Sequence, residues 1–245
     1  NTFFVEVEPL EENIYDAIKA GELPEGRIKK KNEELWKKLN ALGVSNDEAR
    51  QYRNIYRGGN VFLEKTRGEV HMGEVIDMVM DAFEQICDSG PLAKEPSMRL
   101  KVSLVDTKLH EDAIHRGPAQ VYPAVRDSIR NAMHEGGATL FEPLQVHAIE
   151  APASFMSAVT KLVTTKRGQL IDVSHETGET VVITGKIPVA EMLGWASDLR
   201  SATEGRGVSS LVDQMFERVP SSIQEEVLRK IRQRKGIEHE YAEKT

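Results

Sequence analysis

The sequence predicts a mixed α/β (α+β) protein of two domains followed by a C-terminal helix. Three observations carry that reading. A chain of 245 residues is long for one domain and comfortable for two. Strand-like alternation at 2–8 and 98–108 brackets a strongly helix-periodic stretch at 69–88. After Pro143 the rhythm changes to short strands separated by single helices.

The elements follow in order. Residues 2–8 set Phe3, Val5 and Val7 against Phe4, Glu6 and Glu8, a half-buried strand. Residues 10–20 and 25–42 read as helices, the second with Leu35, Trp36 and Leu39 on one face. Ser45-Asn46-Asp47-Glu48 looks like the capped start of a short helix. Gly58-Gly59-Asn60 makes a turn into a short strand, 61–63. In 69–88 the residues Val75, Ile76, Val79, Met80, Phe83 and Ile86 recur at helical spacing, so their methionine reads as core filler. Strand 98–108 leads to a polar loop, and a helix over about 121–134 ends at Gly136-Gly137. Beyond the boundary near 140–144 come strand 144–149, helix 153–164, strand 169–174, strand 180–185, a helix over 188–199 with Pro188 in its first turn, and strand 208–216. That order, β-α-β-β-α-β, is the ferredoxin-like pattern. A basic helix, about 221–234, follows Pro220 with Ser221 as its N-cap, and a frayed tail comes after it.

Composition narrows the function classes. Forty per cent hydrophobic and 29% charged residues describe an ordinary globular protein. No apolar run approaches the roughly 20 residues that span a bilayer, which argues against a membrane partner. The first residue is Asn rather than Met, which points to a piece of a longer protein, and Asn1–Glu8 has no signal-peptide character. The single cysteine, Cys87, sits among apolar residues as a core thiol and suggests a reducing, cytoplasmic compartment. A net charge of −7 argues against a generic DNA coat. It leaves RNA open, because local patches decide RNA binding. Two basic runs, Arg27/Lys29/Lys30/Lys31 and Arg229/Lys230/Arg232/Arg234/Lys235, read either as such patches or as solvated helix faces. No Gly-x-x-x-x-Gly-Lys-Ser/Thr loop or Gly-x-Ser-x-Gly elbow is present.

The most informative segment is His110-Glu111-Asp112-Ala113-Ile114-His115-Arg116-Gly117-Pro118-Ala119-Gln120. A strand enters it and a helix leaves it, which places two imidazoles and an Arg on a loop at a helix N-terminus. The histidines are five residues apart, not the four of a His-Glu-x-x-His zinc motif, and on a helix they would diverge by about 140°. No third metal ligand and no nucleophile accompany them, so no metal and no catalytic residues are expected. His115, Arg116, Gly117 and Ala119 could touch phosphate or sugar edges of RNA. On spacing alone this polar probe and an incidental surface loop remain equal readings.

The segment Asp106-Thr107-Lys108-Leu109-His110-Glu111-Asp112-Ala113-Ile114-His115-Arg116-Gly117, with Gln120 and Pro123, closely resembles the translocation-factor signature of the elongation factor 2 family. Further stretches of that family follow in order: Leu140–Pro143, Lys166-Arg167-Gly168, Pro188–Trp195, Asp198–Gly207 and Arg232–Gly236. The resemblance spans essentially the whole chain.

It implies an S5-like α/β domain IV over 1–142 and a ferredoxin-like domain V over 143–220, with helix 221–236 packing back on domain IV and a tail at 237–245. It implies no enzyme in this chain. GTP and Mg would belong to GTPase domains elsewhere in the same protein, and those domains would be partners. The ribosome, its rRNA and the tRNA–mRNA duplex would be the others, with the domain IV tip entering the A site on the decoding side of the ribosome. His115 would be the histidine converted to diphthamide, the group that diphtheria-type toxins ADP-ribosylate, so diphthamide-synthesis enzymes are implied partners too. His110, Arg116, Gly117, Gln120, Arg200 and Arg206 would be ribosome or RNA contacts. Pro118-Ala119 replaces the glycines of eukaryotic forms and looks archaeal. Two other readings are a stand-alone RNA-binding or assembly protein built from the same domains, and a zinc-dependent hydrolase.

Overall fold

The computed structural model describes residues 1–29, 31–176 and 178–241. Lys30 of the first basic run, Thr177 and the last four tail residues lie outside the described set. The chain divides into two compact units: Asn1–Ala138 with the segment from Leu228 onward, and Thr139–Val227.

The first unit is built on a five-stranded sheet. Its strands are β1 (Thr2–Pro9), β2 (Gly26–Arg27), β3 (Tyr52–Tyr56), β4 (Asn60–Glu64) and β5 (Leu100–Lys108), in the order β1-β5-β4-β3-β2. Only β4 and β5 pair in parallel, because the long helix α4 (Met72–Asp88) carries the chain from one to the other. The remaining helices are α1 (Glu12–Lys19), α2 (Glu33–Ala41), the one-turn α3 (Asn46–Ala49) and α5 (Pro118–Glu135).

Both faces of this sheet are covered, and strand alternation sorts the side chains. Phe62 of β4 and Val102 and Leu104 of β5 pack under α4 and α5, with Val79, Phe83, Val125 and Ile129. Val61 and Leu63 point the other way and meet Ile14, Ile18, Leu35 and Leu39 of α1 and α2. Cys87 is buried in the first of these cores, and burial pushes its thiol pKa well up.

The second face also holds a buried cation. Lys101, only 5% exposed, stands on β5 with its Nζ 2.8 Å from Glu11, 2.5 Å from Glu48 and 3.4 Å from Glu8. Burial disfavours its ammonium, but the bonds to Glu11 and Glu48 outweigh that and raise its pKa.

The helix expected over 25–42 is shorter. Gly26, at φ +136°, and Arg27 form β2 instead, pairing with Ile55 and Asn54 of β3. The helix begins only at Glu33, where the Asn32 side chain accepts the Leu35 N–H at 3.1 Å. Strand β3 itself was not expected. Its Tyr52-Arg53-Asn54-Ile55-Tyr56 buries residues on both faces and so lacks a clean alternation.

The second unit is a four-stranded antiparallel sheet with helices on one face. Strands β6 (Phe141–Pro152), β7 (Gln169–His175), β8 (Thr180–Pro188) and β9 (Val208–Arg218) lie in the order β7-β8-β6-β9. Helices α6 (Met156–Thr165) and α7 (Trp195–Ala202) cover Ile149, Ala151, Val181, Ile183 and Ile187. This is the ferredoxin-like arrangement. Residues 139–142, expected in the first domain, lead into β6 here. Pro188 closes β8 rather than opening a helix. Helix α7 starts later, after Gly194 at φ +78°, a backbone angle that suits glycine.

The final helix α8 (Ser221–Lys235) ends against the first unit's own loop. Arg232 donates to the Leu92 carbonyl at 2.9 Å and lies 4.1 Å from the Tyr241 ring. Lys235 donates to the carbonyls of Ala93 and Lys94 and pairs with Glu95. Part of the second basic run is therefore structural. Arg27 of the first run is likewise held by Asp81 and Glu84 of α4.

Replacing Lys101 with Met leaves three carboxylates facing one another without a cation. The expected loss is about 2–3 kcal/mol of unfolding free energy, below the full value for a buried pair because the carboxylates are partly solvated. Urea unfolding at neutral pH measures it, and an unchanged midpoint contradicts it.

Candidate functional site

The histidine loop joins the end of β5 to the start of α5. Its backbone makes a short 3-10 turn, Ala113–Arg116. Asp112 caps that turn, its carboxylate accepting the Ile114 N–H at 3.1 Å. The His115 N–H bonds the Asp112 carbonyl at 3.1 Å. Gly117 is the N-cap of α5, its carbonyl accepting the N–H groups of Gln120 and Val121, and Pro118 occupies the first helical position. The helix thus begins three residues before its expected start, so Gln120 lies in its first turn and is exposed. Pro123 is accommodated inside the helix.

His110 and His115 come together across the turn. Their ring centroids are 4.4 Å apart in an edge-to-face arrangement. The Asp112 N–H donates to His110 Nδ1 at 3.0 Å, so that nitrogen is an acceptor. Asn1 spans the loop from outside: its amide donates to the His115 carbonyl at 2.5 Å, and its oxygen accepts the His110 N–H at 2.9 Å. The His115 side chain is exposed, and Ile114 beside it is 77% exposed.

Arg116 does not join this exposed group, contrary to its expected role as a contact residue. It is 7% exposed. Its Nη1 donates to the carbonyls of His110 and Glu111, both at 2.6 Å. Its Nε and Nη2 donate to Glu74 Oε2 on α4, at 3.0 and 2.7 Å. His71 Nδ1 lies 3.1 Å from the other Glu74 oxygen. Arg116, then His71, hold the Glu74 carboxyl below the usual carboxylate range. A guanidinium with four bonds has little left for a ligand. Glu74 and Asn1 escape sequence reasoning because they stand 42 and 115 positions from Arg116. Asp112 carried a readable signal, an Asx residue two positions before the amide it caps.

Arg200 and Arg206 lie in the second unit. Arg200 is exposed on α7, and its carbonyl accepts the Gly205 N–H at 2.8 Å. The Arg206 guanidinium sits 5.0 Å from the Phe155 ring centroid and 3.5 Å from Glu204, and it is 60% exposed. The same unit has a polar cluster that the sequence did not suggest. His147 bonds Ser209 at 2.8 Å through Nδ1 and Gln145 at 3.0 Å through Nε2, while the Trp195 indole N–H donates to Ser209 at 3.1 Å. Burial lowers the His147 pKa.

Among the described residues, no three His, Cys, Asp or Glu side chains gather where they could hold a metal ion. No described helix is long and apolar enough to cross a membrane.

Residues 23–137 match the family described as elongation factor G, domain IV, and residues 139–240 match the elongation factor G C-terminus. The chain belongs to the elongation factor G and elongation factor 2 family. Elongation factor 2 of Nanoarchaeum equitans is 48% identical over 241 residues, covering 97% of this chain and 32% of that protein. Elongation factor 2 of Pyrococcus furiosus is 48% identical over 238 residues, with the same coverage. Elongation factor 2 of Methanosphaera stadtmanae is 43% identical over 237 residues, again covering 32% of its length. The chain therefore spans about a third of the curated relatives it matches, and it corresponds to their domain IV and C-terminal modules.

The His147 cluster sets a pH dependence. A histidine with a lowered folded pKa binds more protons unfolded, so its contribution is complete above the unfolded value of 6.5 and is lost as pH falls below it. Thermal unfolding is expected to show the second unit weakening by up to about 1.4 kcal/mol per pH unit below that value. His147→Gln removes this slope; an unaltered slope contradicts the assignment.

Proposed function

We propose that this chain is the ribosome-facing part of an archaeal-type elongation factor 2, which promotes GTP-dependent translocation of tRNA and mRNA. The observation that carries the reading is His115, exposed on a hydrogen-bonded loop within the segment that matches domain IV of elongation factor G. His115 is the diphthamide position and the leading point of domain IV in the decoding-side A site of the ribosome. A diphthamide side chain extends the imidazole with an amide and a fixed positive charge, groups suited to RNA phosphates and 2′-hydroxyls. His110 supports His115 from within the loop, and the backbone at Gly117 and the side chain of Gln120 flank it. Arg200 and Arg206 offer a second, separate set of cations to rRNA.

GTP and Mg act in other domains of the full factor, which are partners of this chain, and the protein works in the cytoplasm. Diphthamide-synthesis enzymes recognise the exposed His115. Neither DNA nor a membrane is part of this reading.

His115→Ala in the full factor tests it. The expected result is slower single-turnover translocation or more frameshifting, by several-fold, together with complete loss of ADP-ribosylation by a diphthamide-specific toxin. Unchanged translocation and retained labelling would defeat the assignment.

A further inference from the structure

Glu74 on α4 is the carboxylate that holds the buried arginine of the histidine loop. It contributes to no core, being half exposed on the first turn of α4, yet both of its oxygens are engaged, Oε2 by Arg116 and Oε1 by His71. We propose that Glu74 is a positioning residue for the histidine loop, acting through Arg116 to set the conformation in which His115 is presented. This rests on the reading of His115 as the working tip.

The contacts run in sequence. Glu74 takes the Nε and Nη2 edge of the guanidinium, and the planar fork then aims Nη1 at the carbonyls of His110 and Glu111. Those two carbonyls immediately precede Asp112, the residue that caps the turn and donates to His110. The turn in its place sets the His115 ring against the His110 ring at 4.4 Å. Removing Glu74 frees one edge of a buried guanidinium, which must then seek another partner by swinging. The two carbonyls lose their fixed donor when it does so. The residue is thus linked to the tip although it stands 41 positions before His115, on a different element.

A double-mutant cycle in the full factor tests this, with Glu74→Ala, the milder Glu74→Gln and His115→Ala. Asp88→Asn is the control: it removes the charge and one of the two acceptor oxygens that Tyr56 and Arg57 use at the other end of α4, about 21 Å along the helix. Glu74→Ala is expected to slow translocation about 5-fold, with Glu74→Gln in the same direction, and the effect should vanish in the His115→Ala background. Asp88→Asn should leave the rate unchanged. In parallel, the proton–proton nuclear Overhauser contact between the His110 and His115 rings should be lost in Glu74→Ala. Multiplicative rate effects, a retained ring contact, or an equal slowing by Asp88→Asn would overturn the proposal. If His115→Ala alone leaves translocation unchanged, the reading of His115 fails, and the ring contact by itself decides whether Glu74 positions the loop.

Discussion

The buried guanidinium of Arg116 is the constraint on which the histidine loop depends. An arginine withdrawn from water is tolerated only when its donors are satisfied. Here two carbonyls of the loop and one carboxylate of α4 satisfy them. Opening the loop would strip the carbonyls from the cation, so the closed turn and the buried Arg116 stabilise each other. The exposure of His115 follows, because neighbouring residues in a 3-10 turn point in different directions and Arg116 has taken the inward one. The loop uses its permanent cation for its own shape and leaves the His115 ring outside. In the proposed function, a modification of that ring places a fixed positive charge where RNA is met.

The rest of the first unit serves this arrangement by fixing the two ends of the loop and the helix beneath it. Strand β5 pairs with β1 on one side and with β4 on the other, so the point where the loop begins is held within the sheet. Helices α4 and α5 pack together over Phe62, Val102 and Leu104, which holds Glu74 near the loop and Gly117 at its end. On the opposite face Lys101 repeats the logic of Arg116, a buried cation satisfied by carboxylates from separate elements. In both places one charge ties together segments distant in sequence.

Much of the fold was legible because periodicity records which face is buried. Helix α4 and strands β5, β6 and β8 stood out for that reason. Strand β3 did not, since burial on both faces erases alternation, and the segment at 25–32 read as helix because a strand of two residues leaves no pattern. At the site, the signature around His115 was plain in the sequence, and so was the start of a helix nearby. The direction of Arg116 was not. Residue type alone says that an arginine beside a histidine is a contact candidate. Only the partner on α4, brought in by tertiary packing, turns it inward. For the basic run at the C-terminus, read either as a patch or as a solvated helix face, the sequence likewise held no sign that Arg232 and Lys235 are occupied by carbonyls of the loop at 92–94.

The histidine loop is preset, held in one conformation before any partner arrives. Four of its amides are bonded: His110 to Asn1, Asp112 to His110, Ile114 to Asp112 and His115 to Asp112. Residue-resolved hydrogen exchange of the free chain measures this directly. All four amides are expected to exchange measurably more slowly than in an unstructured peptide. Exchange of these amides at the unstructured rate would mean that the loop is open on its own, and would contradict a preset tip.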